Sequence, residues 1–173
     1  NKHYSTLSSA DFIVEKGLSV LPEYSYINLS GMTFTSSPED ASNYHSYLEY
    51  LTDNNDNTSW EPAGAKELTT YTLTLNLKTT KDLHGLKLVQ TYFDNVNKRA
   101  WCPQSVKIYV STDGVKWDVA TYVEELEIGH STGEVNIIPF IEGGVQAQYV
   151  KVLVPTPHSE STYNISLAEI GLY

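Results

Sequence analysis

The chain is poor in cysteine: Cys102 is the only one in 173 residues. No intrachain disulfide can form, and a disulfide scaffold or a Cys-rich zinc site is excluded. Cys102 lies between Trp101 and Pro103 with no basic residue beside it. It therefore reads as a buried structural thiol rather than a nucleophile. Basic residues are also scarce, eleven against twenty-one acidic ones, for a net charge of −10 and a pI near 4.8. Nucleic-acid backbones are bound by neutralising phosphates, so a nucleic-acid partner is not expected. An anionic membrane surface is disfavoured for the same reason. No apolar run approaches the ~20 residues of a spanning helix, so direct membrane insertion is not expected. The opening "NKHYSTLSSAD" lacks the basic start and apolar core of a signal peptide. The expectation is a trimmed mature form or a module excised from a larger protein.

Helical periodicity is weak, and strand patterning is plentiful. Thirteen tyrosines and many threonines and valines favour pleated structure. In "YTLTLNL", Tyr71, Leu73, Leu75 and Leu77 alternate with Thr72, Thr74 and Asn76. "GLKLVQ" sets Leu86 and Leu88 against Lys87 and Val89, and "SVKIYVS" sets Val106, Ile108 and Val110 against Lys107 and Tyr109. "YVKVLVP" places Val150, Val152 and Val154 on one face, and "LAEIGLY" closes the chain as a further strand. Asp113-Gly114 between two such runs marks a hairpin. "TTKDLHG" and "IEGGVQ" read as loops. "PEDASNYHSYLEYLTD" has room for a helical turn or two, capped near Ser37, and "SSADFIVEKG" for a short helix or a strand. Many short strands with turns between them predict a β-sandwich or barrel. Residues 1–26 lack the alternation and read as a linker or an added edge segment, with the domain running from 27 to 173.

The blocks "LTDNNDNTSW", "YTLTLNLKTTKDLHGLKL", "VKIYVSTDGVKW", "QYVKVLV" and "ISLAEIGLY" follow one another in order. This series resembles the discoidin, or factor V/VIII type C, domain family, and within it the family 32 carbohydrate-binding modules of bacteria. The likeness covers about residues 27–173, and the Ser111–Trp117 hairpin is its sharpest single motif. It implies an all-β, eight-stranded antiparallel jelly-roll sandwich, galactose-binding-domain-like, with its two ends close together. It also implies that Trp60 and Trp117 are core residues without ligand contact. Family loops often have Asp-Gly where this chain has Asp53-Asn54, and Asn tolerates the left-handed backbone such a turn needs. The end-joining disulfide of animal members cannot form here, which points to a bacterial module.

Residues 51–60 are dense in short oxygen-bearing side chains. An EF-hand fails: counting from Asp53, the sixth position is Thr58 rather than Gly and the twelfth is Gly64 rather than Glu. The family resemblance implies instead a structural calcium held by Asp53, Thr58 and Glu169, with Asp56 as a fourth ligand by side chain or carbonyl. Glu169 stands in an otherwise apolar stretch, where a charge is costly unless paired. The competing reading is a solvated turn with Glu169 on an outer face.

The resemblance implies a shallow sugar site on loops at one end of the sandwich, built from an aromatic platform and a few polar groups. The matching loops offer His45; Phe93, Asn97, Arg99 and Trp101; and Tyr163 with Asn164. His45, Arg99 and Tyr163 are the nearest matches to a galactose-binding set. Each has a plainer alternative: Trp101 as a core cap, Arg99 in a surface ion pair, His45 as an ordinary surface histidine. Asn-x-Ser/Thr sequons occur at Asn28, Asn57 and Asn164, and a glycan on Asn57 would crowd the metal loop. No nucleophile elbow, zinc-binding helix or phosphate-cradling loop is present. Adjacent acid pairs such as Glu124-Glu125 point to opposite faces of a strand and do not converge. The expectation is a non-catalytic glycan-binding module, possible partners including galactose-type sugars, from a multidomain extracellular, cell-surface or periplasmic bacterial protein. The alternative is an interaction or spacer module of the same fold without a sugar site.

Overall fold

The computed structural model describes residues 25–39, 47–62, 67–93, 100–141, 143–157 and 163–173. Its strands are β1 (Thr35–Ser37), β2 (Thr70–Leu83), β3 (Gly85–Gln90), β4 (Ser105–Ser111), β5 (Asp118–Val119), β6 (Leu126–Glu127), β7 (Val135–Pro139), β8 (Val145–Pro155) and β9 (Leu167–Leu172). The larger sheet has the order β1-β2-β8-β4-β5, with β6 also pairing β4; the smaller has the order β7-β3-β9. Every pairing is antiparallel. Among the described residues, nine strands stand where eight are expected. β5 and β6 pair with opposite ends of β4, at Tyr109–Val110 and at Ser105–Val106. They are two pieces of one return strand, parted where exposed Tyr122 and Val123 lead the chain out of the sheet.

The alternation read from the sequence makes the core. Leu73, Leu75 and Leu77 of β2, Ile108 of β4 and Val150, Val152 and Val154 of β8 are buried against Leu86 and Leu88 of β3 and Ile170 and Leu172 of β9. Each such side chain contributes roughly 1.5–3 kcal/mol of burial. Cys102 is buried, and burial, aided by the charge of Glu134, pushes its thiol up to about 11. It stays protonated and inert at neutral pH, as a structural thiol should. Ile27 N–H donates to Leu172 O at 2.8 Å, and the rings of Tyr26 and Tyr173 meet edge-on at 5.9 Å. The first described residues thus lie against the last strand; residues 1–24 fall outside the described ones.

Two local expectations are corrected. "TTKDLHG" is mostly strand: β2 runs on to Leu83, with Lys81, Asp82 and Leu83 opposite Ala147, Gln146 and Val145. A register shift between Asn76 and Lys81 absorbs the turn-like residues. There Lys78 takes φ 65°, and its N–H donates to Asn76 Oδ1 at 2.8 Å. Buried Leu83 then anchors the far end. The helical turn is a 3-10 segment, Leu48–Thr52, whose N-cap is Tyr47, while Ser37 ends β1 instead of capping it.

The turn into β8 needs Gly144, at φ 80°. A Cβ there would sit 2.8 Å from His84 Nδ1 and 2.9 Å from Leu83 O, whereas one on Gly143 would meet nothing within 4 Å. Gly144→Ala is expected to cost more than about 1 kcal/mol in urea unfolding. Gly143→Ala, which carries only the backbone strain, is expected to cost less. Equal losses would show that the contact with His84 and Leu83 is immaterial.

Candidate functional site

The oxygen-rich loop hangs from the edge of the smaller sheet. Trp60 N–H donates to Leu167 O at 2.8 Å and Leu167 N–H donates to Trp60 O at 3.1 Å, an isolated bridge that adds the loop's end to β9. The Trp60 side chain is fully buried and meets Tyr71 edge-on at 5.3 Å. Upstream, the loop is wound on its own side chains. Asp53 Oδ1 accepts from Asn55 N–H at 2.9 Å, and Asp53 Oδ2 accepts from Thr58 Oγ1 at 2.8 Å. Asn54 adopts φ 58°, the left-handed geometry that Asn is able to supply in place of Gly.

On β3 and β9, Val89 lies opposite Glu169 and Lys87 opposite Gly171, on the outer face of the smaller sheet. The loop covers that face, so Glu169 is only 4% exposed. Its Oε2 has no hydrogen-bond partner. Burial first, then the nearby charge of Asp53, pushes its carboxyl up to about 8, against the opposing pull of Lys87 and a backbone hydrogen bond from Asn55. Asp56 Oδ1 lies 3.8 Å from Lys87 Nζ, and its charge also raises the Glu169 carboxyl. A cavity of about 90 Å³ lies between loop and strand, lined by Asn54, Lys87, Glu169 and Tyr26 among others. Among the described residues, no three His, Cys, Asp or Glu side chains form a ready-made metal cluster. An ion between loop and strand would rest on Asp53, Glu169, the Thr58 hydroxyl and loop carbonyls, the mixed oxygen set that calcium accepts, and of these side chains Glu169 lines the cavity. The buried Glu169 oxygen, which has no hydrogen-bond donor, fits such an ion.

The sugar-loop candidates fall in two groups. Phe93 is buried and meets Trp101 edge-on at 5.7 Å, so it backs the half-buried indole. Ser166 N–H donates to Trp101 O at 3.0 Å, which brings the half-buried Tyr163 and Asn164 segment to the same end. The Thr91 and Ser166 hydroxyls share a buried bond of 2.6 Å that ties the two loops. His45, Asn97 and Arg99 lie outside the described residues.

Trp117 corrects an expectation. It is half-buried on the outer face of the larger sheet, not in the core. The β4–β5 hairpin lays it edge-on to Tyr149 at 6.4 Å, with Lys151 Nζ 3.7 Å over its ring. A cation over the indole and the lysine stem beside it cover the ring without a core position. The sequence gives no sign of this, because the hairpin motif is the same whichever face receives its Trp.

Taken together, these features define a small β-sandwich of two antiparallel sheets with loops at its ends. The chain belongs to the F5/8 type C domain family, whose model matches residues 33–169. Its fold is that of the family 32 carbohydrate-binding modules. CpGH89CBM32-5 from Clostridium perfringens, solved with GalNAc-β-1,3-galactose, is 17% identical, with 86% of this chain and 99% of that one covered at a TM-score of 0.64. The family 32 module of C. perfringens NanJ, solved with galactose, is also 17% identical, covering 85% and 96% at 0.64. A putative chitobiase fragment from Bacteroides thetaiotaomicron is 16% identical, covering 90% and 95% at 0.72. No curated protein sequence matches the chain.

Proposed function

We propose that this chain is a non-catalytic module that binds a galactose-type glycan at the loop end carrying Trp101 and Tyr163. The observation that carries the reading is the tie between those loops, Ser166 N–H to Trp101 O, on an F5/8 type C frame. An indole and a phenol ring at one shallow end suit the apolar face of a hexose. His45, Asn97, Arg99 and Asn164 are the polar groups proposed to meet its hydroxyls. The neighbours solved with galactose and with GalNAc-β-1,3-galactose support the sugar class. A structural calcium on Asp53, Thr58 and Glu169, with Asp56 as a fourth ligand by side chain or carbonyl, ties the first loop to the last strand. The module then belongs to a larger bacterial protein working outside the cell or at its surface.

Affinity for one sugar is small. At roughly 0.3 kcal/mol per non-hydrogen atom, a hexose of about twelve gains about 4 kcal/mol, a dissociation constant near 1 mM. Titration calorimetry with galactose in calcium buffer is expected to show such binding. Tyr163→Ala is expected to weaken it about five- to tenfold through the lost ring contact. No heat with galactose and no signal on a broad glycan array would overturn the reading and favour a spacer module.

A further inference from the structure

A second surface stands apart from both loops. On the outer face of the larger sheet is an open hollow of about 370 Å³, lined by Met32, Thr35, Thr74, Asn76, Lys78 and Tyr149 among others. Register explains the grouping. Thr35 lies opposite Thr74, Thr74 opposite Lys151, and Asn76 opposite Tyr149. Directly opposed residues share a face about 5 Å apart, so hydroxyls, an amide, a phenol and an ammonium meet in two adjoining rows. Tyr149 is held in place from the side: Trp117 meets it edge-on, and a Cβ added to Gly114 would lie 3.4 Å from its ring. Gln148 Nε2 lies 3.3 Å from its hydroxyl and 3.3 Å from Asn76 Oδ1.

The charge of this face is unlike that of the chain. β1, β4, β8 and residues 70–78 of β2 hold no Asp or Glu, and their charged residues are Lys78, Lys107 and Lys151; beyond the hollow, Glu124 accepts from the hydroxyl of Tyr109, which lies opposite Lys151. Lys107 pairs with Glu125 at 3.4 Å, at the far side. Asp113, in the hairpin beside Tyr149, turns its carboxylate into its own loop, accepting from Val115 N–H at 2.7 Å and Lys116 N–H at 2.8 Å. On a chain of net charge −10, the hollow is lined by Lys78 and by no acidic residue, and Lys151 borders it opposite Thr74 with its ammonium over the Trp117 ring. Two ammonium groups are too few to track a nucleic-acid backbone. Ring, hydroxyls and amide suit a sugar; the lysines suit its negative charge.

We propose that this hollow is a second glycan site, which takes an acidic saccharide such as a uronic acid oligomer. Tyr149 stacks on a sugar ring, Lys78 and Lys151 meet its carboxylates, and Thr35, Thr74 and Asn76 bond its hydroxyls. The proposal rests on the reading of the chain as a glycan-binding module, but the two sites fail separately: galactose reports on the loop end, an acidic oligomer on the sheet. The test is an amide-resolved NMR titration of the intact chain with tetragalacturonate at low salt. Shifts are expected at Thr35, Thr74–Lys78, Tyr149 and Lys151. Lys78→Gln and Tyr149→Ala should each weaken binding at least fivefold, added salt should weaken it further, and Lys78→Gln should leave galactose binding unchanged. Absence of shifts, shifts confined to the Trp101–Asn164 end, indifference to Lys78→Gln, or equal binding of a polyglutamate peptide would each overturn it.

Discussion

Trp60→Ala is expected to lower the unfolding free energy by about 3–5 kcal/mol, the usual loss for a large aromatic removed from a packed site. For a chain of this size that is a fall in Tm of about 10 °C. The side chain is fully buried and packs edge-on against Tyr71, so the cavity has rigid walls and little chance of collapse. The backbone bridge from Trp60 to Leu167 adds a second consequence. With the ring gone, that bridge is less firmly held, and the loop from Asp53 to Thr58 is less well placed over β9. Stabilisation by the proposed calcium should therefore shrink along with the core. Trp60→Phe separates the contributions. The indole Nε1 has no hydrogen-bond partner, so Phe forfeits no bond and is expected to cost about 1–2 kcal/mol by area. Urea unfolding of both variants, with and without calcium, measures this. A loss below 1 kcal/mol for the alanine variant would show that the site relaxes and that Trp60 is not the anchor described.

Much of the frame was legible because it depends on short-range pattern. Tyr71, Leu73, Leu75 and Leu77 alternate with polar residues, and one face of a strand leaves no other assignment. Asp113-Gly114 fixes its hairpin locally. What was not legible depends on distant partners. "TTKDLHG" has turn composition, yet β8 is long enough to pair with it. Trp117 has the motif of a core residue, yet the face it covers is set by where Tyr149 and Lys151 fall in register. Glu169 lies between these cases. A lone carboxylate among apolar residues already demands a partner, and the fold shows why: the loop closes over it and leaves one oxygen without a donor. The hollow on the larger sheet needed register altogether, since Thr35, Asn76 and Tyr149 are far apart in the chain.

Glu169 gives the second large effect, and its sign changes with the metal. In the metal-free protein, burial and Asp53 raise its carboxyl from 4.5 to about 8. Between those values the folded chain keeps a proton that the unfolded chain has released. Stability is then fully present below about pH 4.5, falls as pH rises, and levels off above about pH 8. At about 1.36 kcal/mol per unit, the whole fall is about 4–5 kcal/mol. Glu169→Gln removes that slope, because an amide stays neutral at every pH. In EDTA at pH 8 the Gln variant should be the more stable protein by several kcal/mol. At the proposed calcium site the order is expected to reverse: a dication beside the carboxylate would favour its charged form and displace the proton, so affinity would rise with pH. The native chain should gain Tm on adding calcium, most strongly near pH 8, and the Gln variant should gain little. Melting of both proteins at pH 5.5 and pH 8, with calcium and with EDTA, gives the comparison. Equal pH slopes in EDTA would show that Glu169 is solvated in its folded environment. Equal calcium responses would place the ion elsewhere.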